Sequence, residues 1–174
     1  MRQETAQPRP TAPLYTPEQR RRRDASGWTL VQGLLAPIQF IVFLTSLVLV
    51  LRFLDTGAGE TAATLSVVVK TLALYLIMIT GAIWEKVVFG QYLFAPAFYW
   101  EDVFSMLVLA LHTAYLIALA TDSLGVTGRM ELALAAYLTY AINAGQFVLK
   151  LRTARLDHAK GAATAGSGPL AIAE

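Results

Sequence analysis

The sequence predicts an all-α integral membrane protein, a four-helix bundle with both termini on the cytoplasmic side. Of its 174 residues, 56% are hydrophobic and 15% are charged, whereas soluble domains have about 25% charged residues. The apolar residues gather in four stretches, each close to the roughly 20 residues that a membrane-spanning helix needs. The lysines and arginines gather towards the chain ends, a pattern that sets membrane topology.

The N-terminal segment, residues 1–27, is basic and is expected to lie in the cytoplasm, partly disordered. Within it the stretch "TPEQRRRRDAS" has the pattern of a capping box that begins at Thr16. We therefore predict a short helix near residues 17–25, along the membrane surface. Because the basic run Arg20–Arg23 flanks a hydrophobic span, it indicates topology rather than a nucleic-acid site.

The transmembrane domain is predicted to comprise residues 28–150. Helices satisfy their own backbone hydrogen bonds in lipid, and the spans lack the alternation of a membrane barrel. The connections carry turn residues, as in "DTGAGET" and "TDSLGVTG". The tail 151–174 is expected to be cytoplasmic and mostly disordered. The spans are predicted at about 28–54, 64–84, 103–120 and 131–149.

The orientation follows from the basic residues. If both termini are cytoplasmic, that side holds eleven of the 14 lysines and arginines. The opposite side keeps Arg52, Lys70 and Arg129, and Lys70 is expected to snorkel towards that surface. All three tryptophans then fall at the cytoplasmic boundary, where membrane proteins carry an aromatic belt. The chain has no cysteine, which excludes disulfides, thiolate metal sites and cysteine nucleophiles.

Each predicted span carries one stripe of polar residues, about 40–80° wide at 100° per residue. In lipid such stripes must face one another. The amides and hydroxyls either join the helices, at about 0.6 kcal/mol for each pair, or line a polar site, and both interpretations stay open. The stripes contain Gln32, Gln39 and Ser46 in the first span, Thr71, Tyr75, Met78 and Glu85 in the second, Glu101, Ser105, His112 and Tyr115 in the third, and Thr139, Asn143, Gln146 and Lys150 in the fourth.

The ionisable residues of these stripes are candidates for chemistry, because ionisable groups inside a membrane are expensive to bury. Glu85 and Glu101 lie at the cytoplasmic boundary. His112 shares a face with Glu101 but lies about 16 Å further along the helix, so that a ligand, water or another helix must fill the gap. Asp102 is about 100° round from Glu101. It either complements the dipole of the helix start or belongs to the site.

Three stretches resemble the membrane-bound 3-vinyl bacteriochlorophyllide hydratases, also called chlorophyllide a 3¹-hydratases. They are "RRRRDASGWTLVQGLLAPIQF", "EKVVFGQYLFAPAFYWEDVFSMLVLALHTAYL" and "AAYLTYAINAGQFVLKLRTAR", and the similarity runs from about Tyr15 to Arg155. It implies a hydro-lyase that hydrates the vinyl group of chlorophyllide a or 3-vinyl bacteriochlorophyllide, with magnesium as part of the substrate and no cofactor of its own.

The resemblance also implies a multi-pass protein of the bacterial inner membrane, cytoplasmic or intracytoplasmic and photosynthetic. Its partners would be the pigment, membrane lipid and other enzymes of bacteriochlorophyll synthesis, and no nucleic acid. A non-catalytic carrier or assembly factor for tetrapyrroles is the alternative, because it would use the same aromatic residues and histidine. The two functions differ in whether the bound pigment gains water.

Hydration of a vinyl group needs an acid for the alkene and a base or anchor for water. Glu101 is the first candidate for the acid and Glu85 the second, with Asp102 as a further carboxyl group. His112 is a candidate base or axial ligand to the substrate magnesium. The candidate binding residues are Gln32, Gln39, Ser105, Asn143 and Gln146 for water or a ring carbonyl, Phe98, Tyr99 and Trp100 for stacking or for an interfacial belt, and Lys86 and Lys150 for the substrate carboxylate.

Overall fold

The protein is all-helical in a computed structural model, which describes residues 14–166. The predicted all-α class is thereby confirmed, and residues 1–13 and 167–174, which belong to the chain ends expected to be disordered, lie outside the described residues. Among the described helices, the last four are long and apolar enough to cross a membrane, which indicates a multi-pass membrane protein. The helices are α1 (Pro17–Ala25), α2 (Gly27–Thr56), α3 (Glu60–Phe89), α4 (Tyr99–Ala120) and α5 (Gly125–Gly166).

The first helix starts at the capping box. The Thr16 hydroxyl accepts a hydrogen bond from the Gln19 N–H, and the Gln19 side chain accepts one from the Thr16 N–H. These two bonds satisfy amides that the helix itself leaves without partners. Ser26 ends α1 and caps α2, because its hydroxyl accepts from the Trp28 N–H. The surface helix and the first span are therefore joined through a single residue.

The long helices extend beyond the predicted spans. Gly57 and Gly90 end α2 and α3 in the left-handed conformation, with φ of 70° and 88°. At the C-terminus α5 continues through Gly166, where the sequence analysis expected a disordered tail from residue 151. The reason lies in the composition of this stretch, because residues 150–160 have neither glycine nor proline and consist mainly of good helix formers.

The four long helices form two pairs, in which α2 packs mainly on α3, and α4 on α5. The pairs meet in the half of the bundle remote from α1, around Phe43, Val50 and Tyr137. There the Ser46 hydroxyl contacts the hydroxyls of Tyr137 at 2.5 Å and Ser66 at 2.7 Å. Part of the polar stripe thus joins α2, α3 and α5, as the packing interpretation of these residues predicts.

Lys70 was predicted to reach towards the membrane surface, and this is wrong. Its side chain is buried inside the bundle, and Nζ lies 3.6 Å from the centre of the Tyr140 ring. The aromatic face attracts the ammonium group and takes the place of a hydrogen-bond partner, of which Nζ has none among the described residues. A helical-wheel projection of α3 cannot reveal this contact, because Tyr140 belongs to α5.

Candidate functional site

Towards α1 the two helix pairs separate and leave a cavity of about 1690 Å³. This volume exceeds the roughly 300–1,000 Å³ of pockets for drug-sized ligands, so the cavity has room for a large, flat molecule. Its wall is mainly apolar, with a limited set of polar residues among its lining. The polar residues of its inner part are Gln32, Gln39, Glu85, Asp102, Ser105 and Asn143.

The cavity is open sideways, between α2 and α5. Lining residues of both helices are themselves exposed on the bundle surface, which in a membrane faces the lipid. On α2 several of them are small, so little side-chain volume obstructs the opening. An apolar molecule dissolved in the bilayer can therefore reach the cavity without passing through water. The exposed lining residues are Gly33, Ala36, Pro37, Phe40 and Val148.

Two buried carboxyl groups meet at the cavity wall. Glu85 comes from the end of α3 and Asp102 from the start of α4, and the two carboxyl groups are close enough to act on each other electrostatically. The loop between the helices fixes both. The Phe94 N–H donates to Asp102 Oδ2 at 2.7 Å, and the Ala95 N–H donates to Glu85 Oε2 at 3.3 Å. One oxygen of each carboxyl group is thus held by the backbone.

This arrangement depends on the backbone conformation of Phe94. Its φ is 60°, in the left-handed region that bulky residues rarely adopt. The following residues, Ala95 and Phe98, are buried, so the loop is packed into the bundle. The sequence gives no signal of this turn, because glycine and asparagine are the usual left-handed residues, and neither occurs at position 94 or beside it.

Glu101, the first candidate for the acid, is placed differently. Its Oε2 accepts a hydrogen bond from Lys150 Nζ of α5 at 2.6 Å, and it does not line the cavity. The structure therefore corrects the assignment that put Glu101 on the inward stripe and Asp102 off it. Since α4 lies between α3 and α5, two of its faces are covered. Glu101 occupies the face towards α5, and Asp102 the face towards Glu85.

Two of the inner polar residues have a side-chain oxygen without a hydrogen-bond partner among the described residues. Asn143 donates through Nδ2 to Ser105 Oγ at 2.8 Å, and Gln32 donates to Thr80 Oγ1 at 2.8 Å. Within the part of the chain that the structure describes, Asn143 Oδ1 and Gln39 Oε1 are buried without a partner. Gln146 Oε1 also lacks one, although Gln146 does not line the cavity.

His112 does not join this group. The ring is buried, Nδ1 lies 2.8 Å from the Val108 carbonyl oxygen, and the ring centre is 5.8 Å from that of Tyr137. It belongs to the packed half of the bundle and is absent from the cavity wall. The polar stripe of α4 continues past the cavity. A helical-wheel projection therefore cannot show that Ser105 lines the cavity and His112 does not.

The three aromatic residues that were predicted either to stack on the substrate or to form an interfacial belt lie in two different environments. Phe98 is buried, lines the cavity and stacks on Phe147, with ring centres 5.8 Å apart and planes at 22°. Tyr99 and Trp100 are 47% and 67% exposed and do not line the cavity, which favours the interfacial belt for them. Lys86, a candidate for the substrate carboxylate, instead donates to the Gly90 carbonyl at 2.7 Å.

The mouth of the cavity carries cationic side chains among the described residues, of which Lys150 was predicted as a binding residue and the arginines were not. Arg20 and Arg23 of α1 line it together with Lys150 and Arg155 of α5. The run Arg20–Arg23 was interpreted as a topology signal only. The capping box at Thr16 predicts helix α1 from the sequence, but only the tertiary structure shows that α1 lies over a cavity.

The family profile described as 2-vinyl bacteriochlorophyllide hydratase (BCHF) matches residues 15–153. A protein of Cereibacter sphaeroides with that name is 68% identical over 151 residues, which are 85% of this chain and 94% of the relative. One of Rhodobacter capsulatus, of the same name, is 67% identical over 149 residues, 84% of this chain and 85% of the relative. No solved structure matches significantly.

Proposed function

Because the chain belongs to the 2-vinyl bacteriochlorophyllide hydratase family, we propose that it adds water to the vinyl group of a bacteriochlorophyllide in bacteriochlorophyll synthesis. The product carries a 1-hydroxyethyl group, and the enzyme is a hydro-lyase. The resemblance in the sequence is thereby confirmed, and the enzyme is preferred over the carrier. Positions 2 and 3 are the same ring position in the two numbering schemes of tetrapyrroles.

The carboxyl pair at the cavity wall is the observation that supports a mechanism most directly. Two neighbouring carboxyl groups repel each other when both are charged, so the pair favours holding one proton and can place an acid and a base side by side. The acid transfers its proton to the terminal CH₂ of the vinyl group. The positive charge then lies on the carbon attached to the macrocycle, where the ring delocalises it and the remaining carboxylate stabilises it.

Water completes the reaction from this state. Its oxygen forms a bond to the cationic carbon, and one of its protons passes to a carboxylate of the pair. The pair ends with the single proton that it held at the start, so the cycle closes without an external acid or a redox cofactor. Gln39 and Asn143 line the cavity, so a rotation of their side-chain amides would let them orient the attacking water or a polar ring substituent.

We assign the acid to Glu85 and the base to Asp102. The backbone N–H contact to Asp102 is the shorter of the two, 2.7 Å against 3.3 Å, and a short N–H contact suits the group that carries the negative charge. Glu101 and His112 receive no chemical step in this scheme, because neither lines the cavity. Magnesium enters only as part of the pigment.

We further propose the bacterial inner membrane as the location, with both termini cytoplasmic. The positive-inside rule supports this orientation, since eleven of 14 lysines and arginines then face the cytoplasm. The cavity mouth at α1 lies on the same side, next to the end of α5 that carries Arg155. The pigment would then enter from the cytoplasmic leaflet, where lipid and other enzymes of the pathway are its neighbours.

The test is turnover by the purified protein in lipid nanodiscs. A magnesium vinyl pigment should gain the mass of one water molecule, with a blue shift of its red absorption band. In D₂O the product should contain a single deuterium in the new methyl group, because the proton of the acid is added there. Pigment that binds tightly but is recovered unchanged from folded protein would support the carrier and refute the hydratase.

A further inference from the structure

We propose that two hydrogen bonds between α2 and α3 position the carboxyl group of Glu85 for proton transfer. In the first, the Trp84 indole N–H donates to the Thr29 hydroxyl at 2.9 Å. In the second, the Gln32 side-chain amide donates to the Thr80 hydroxyl at 2.8 Å. These side chains are positioning residues, since they act through Glu85. The inference rests on the proposed function, because it concerns the acid that was assigned there.

The two α2–α3 hydrogen bonds lie one helix turn apart on both helices. Thr29 and Gln32 are three residues apart on α2, and Thr80 and Trp84 are four residues apart on α3, so each pair lies on one face of its helix. One bond is donated from α3 and the other from α2. The facing sides of the two helices are therefore joined at two successive levels.

Both threonine hydroxyls are fixed on their own side as well. The Thr29 hydroxyl donates to the Arg23 carbonyl oxygen at 2.6 Å, and the Thr80 hydroxyl donates to the Leu76 carbonyl oxygen at 2.8 Å. Because each hydroxyl has a single hydrogen, its oxygen is left to accept the N–H group of the other helix. Each hydroxyl thus connects a backbone carbonyl group to the neighbouring helix, which restricts its rotation.

These contacts set the direction in which Glu85 leaves α3. Thr80 and Trp84 lie about 40° apart round the helix, and Glu85 follows Trp84 by about 100°. The Trp84 ring is also held edge-on against Phe89 and Phe98, with ring centres 5.8 and 5.7 Å away. A rotation of α3 that redirects Glu85 must therefore also break the contacts of Trp84.

Glu85 depends on the position of its helix more than Asp102 does. The loop N–H that contacts Glu85 is 3.3 Å away, whereas the one that contacts Asp102 is 2.7 Å away. At this end of the bundle the helix pairs separate around the cavity, and α3 packs mainly on α2. The hydrogen bonds between α2 and α3 therefore supply the support that the loop gives less firmly to Glu85.

The experiment uses the full chain in lipid nanodiscs. Thr80→Val and Trp84→Phe each remove one of the two α2–α3 hydrogen bonds. Thr80 does not line the cavity, so its substitution cannot act through contact with the pigment. Thr29→Ser is the conservative variant, which keeps the hydroxyl. The matched control is Thr45→Val on α2, because the Thr45 hydroxyl donates to the Ile41 carbonyl oxygen of the same helix.

We expect kcat per folded molecule to fall by about ten- to a hundred-fold in Thr80→Val and Trp84→Phe, since a misplacement of about 1 Å has an effect of this order. KM should change little in Thr80→Val. Thr29→Ser and Thr45→Val should match the wild type in both constants.

Infrared spectra of the pigment-free protein provide a second measurement, which does not depend on turnover. The band of the Glu85 carboxyl group is the one that Glu85→Gln removes. Its frequency should shift in Thr80→Val and Trp84→Phe, because the surroundings of the carboxyl group change. It should stay in place in Thr45→Val.

A lower yield of folded protein with unchanged kcat per folded molecule would show that these hydrogen bonds only stabilise the fold, and would overturn the proposal. So would a rise of KM alone, or equal losses of kcat in Thr45→Val. If the wild type adds no water but the infrared band shifts as expected, the proposed function fails and the positioning of Glu85 stands. If the wild type hydrates the pigment and Thr80→Val changes neither kcat nor the band, this inference fails and the function stands.

Discussion

Glu85 and Asp102 lie on different helices, and two successive backbone N–H groups of the loop between them hold one oxygen of each carboxyl group. Among the described residues, neither acid forms an ion pair of the kind that joins Lys150 to Glu101. The loop therefore determines how the two carboxyl groups are oriented towards each other. The cavity determines which molecule can contact them. The first predictions concern this pair.

Replacing either acid by its amide should remove catalysis and leave binding intact. Glu85→Gln and Asp102→Asn keep the shape of the side chains but take away the exchangeable proton or the negative charge. We expect kcat to fall by about 10²–10⁴-fold, the usual contribution of a positioned acid or base. Single-turnover hydration of the pigment measures the chemical step, and pigment absorption measures binding.

Glu101→Gln is the matched control, because it is the neighbouring acid on the same helix turn. It breaks the pair with Lys150, whose side chain is 27% exposed and can turn to water. We expect a loss of folding free energy of about 1–3 kcal/mol with kcat within a few-fold of the wild type. If Glu101→Gln abolished hydration while Glu85→Gln did not, the assignment of the acid would be wrong.

The loop residue Phe94 should act as a positioning residue. Phe94→Pro fixes φ near −65° and removes the N–H, so the contact to Asp102 is lost. Phe94→Gly keeps the N–H and adopts positive φ without strain. We expect kcat to fall at least ten-fold in the proline variant, the effect of one lost charge-assisted hydrogen bond, with KM nearly unchanged.

The glycine variant of Phe94 should stay near the wild type in both constants. Equal losses of kcat in the proline and glycine variants would show that the aromatic ring matters and the N–H does not. A rise of KM alone in the proline variant would place this loop in binding rather than in catalysis. Steady-state hydration at several pigment concentrations separates these cases.

The lateral opening should control access of the pigment. Gly33 lines it, and a Cβ atom built there meets nothing within 4 Å. Gly33→Trp should therefore narrow the opening without disturbing the packing, raise KM and slow pigment binding in stopped-flow measurements. Leu34→Trp is the control, since Leu34 is 57% exposed but outside the cavity wall. Equal effects of both substitutions would argue against entry between α2 and α5.

The sequence predicted the elements of this fold better than their contacts. Four spans and the start of α1 follow from hydropathy and from the capping pattern at Thr16, which are local properties. The stripes also contained the right polar partners, such as Ser105 and Asn143. The sequence of one helix does not reveal which other helix packs against each of its faces. For this reason Glu101 and Asp102 were assigned to the wrong sides, and Lys70 was expected at the surface.

His112 became a candidate for the same reason, because the sequence shows which residues share a helix face but not what packs against them. His112 shares the stripe of Ser105, but its ring is buried against Tyr137 in the packed half of the bundle. His112→Phe should keep this ring packing, and hydration per folded molecule should stay within a few-fold of the wild type. Affinities for a magnesium pigment and for its metal-free form should be equally unaffected. A selective loss for the magnesium pigment would instead show that His112 binds the metal, and would require the bundle to open around the ligand.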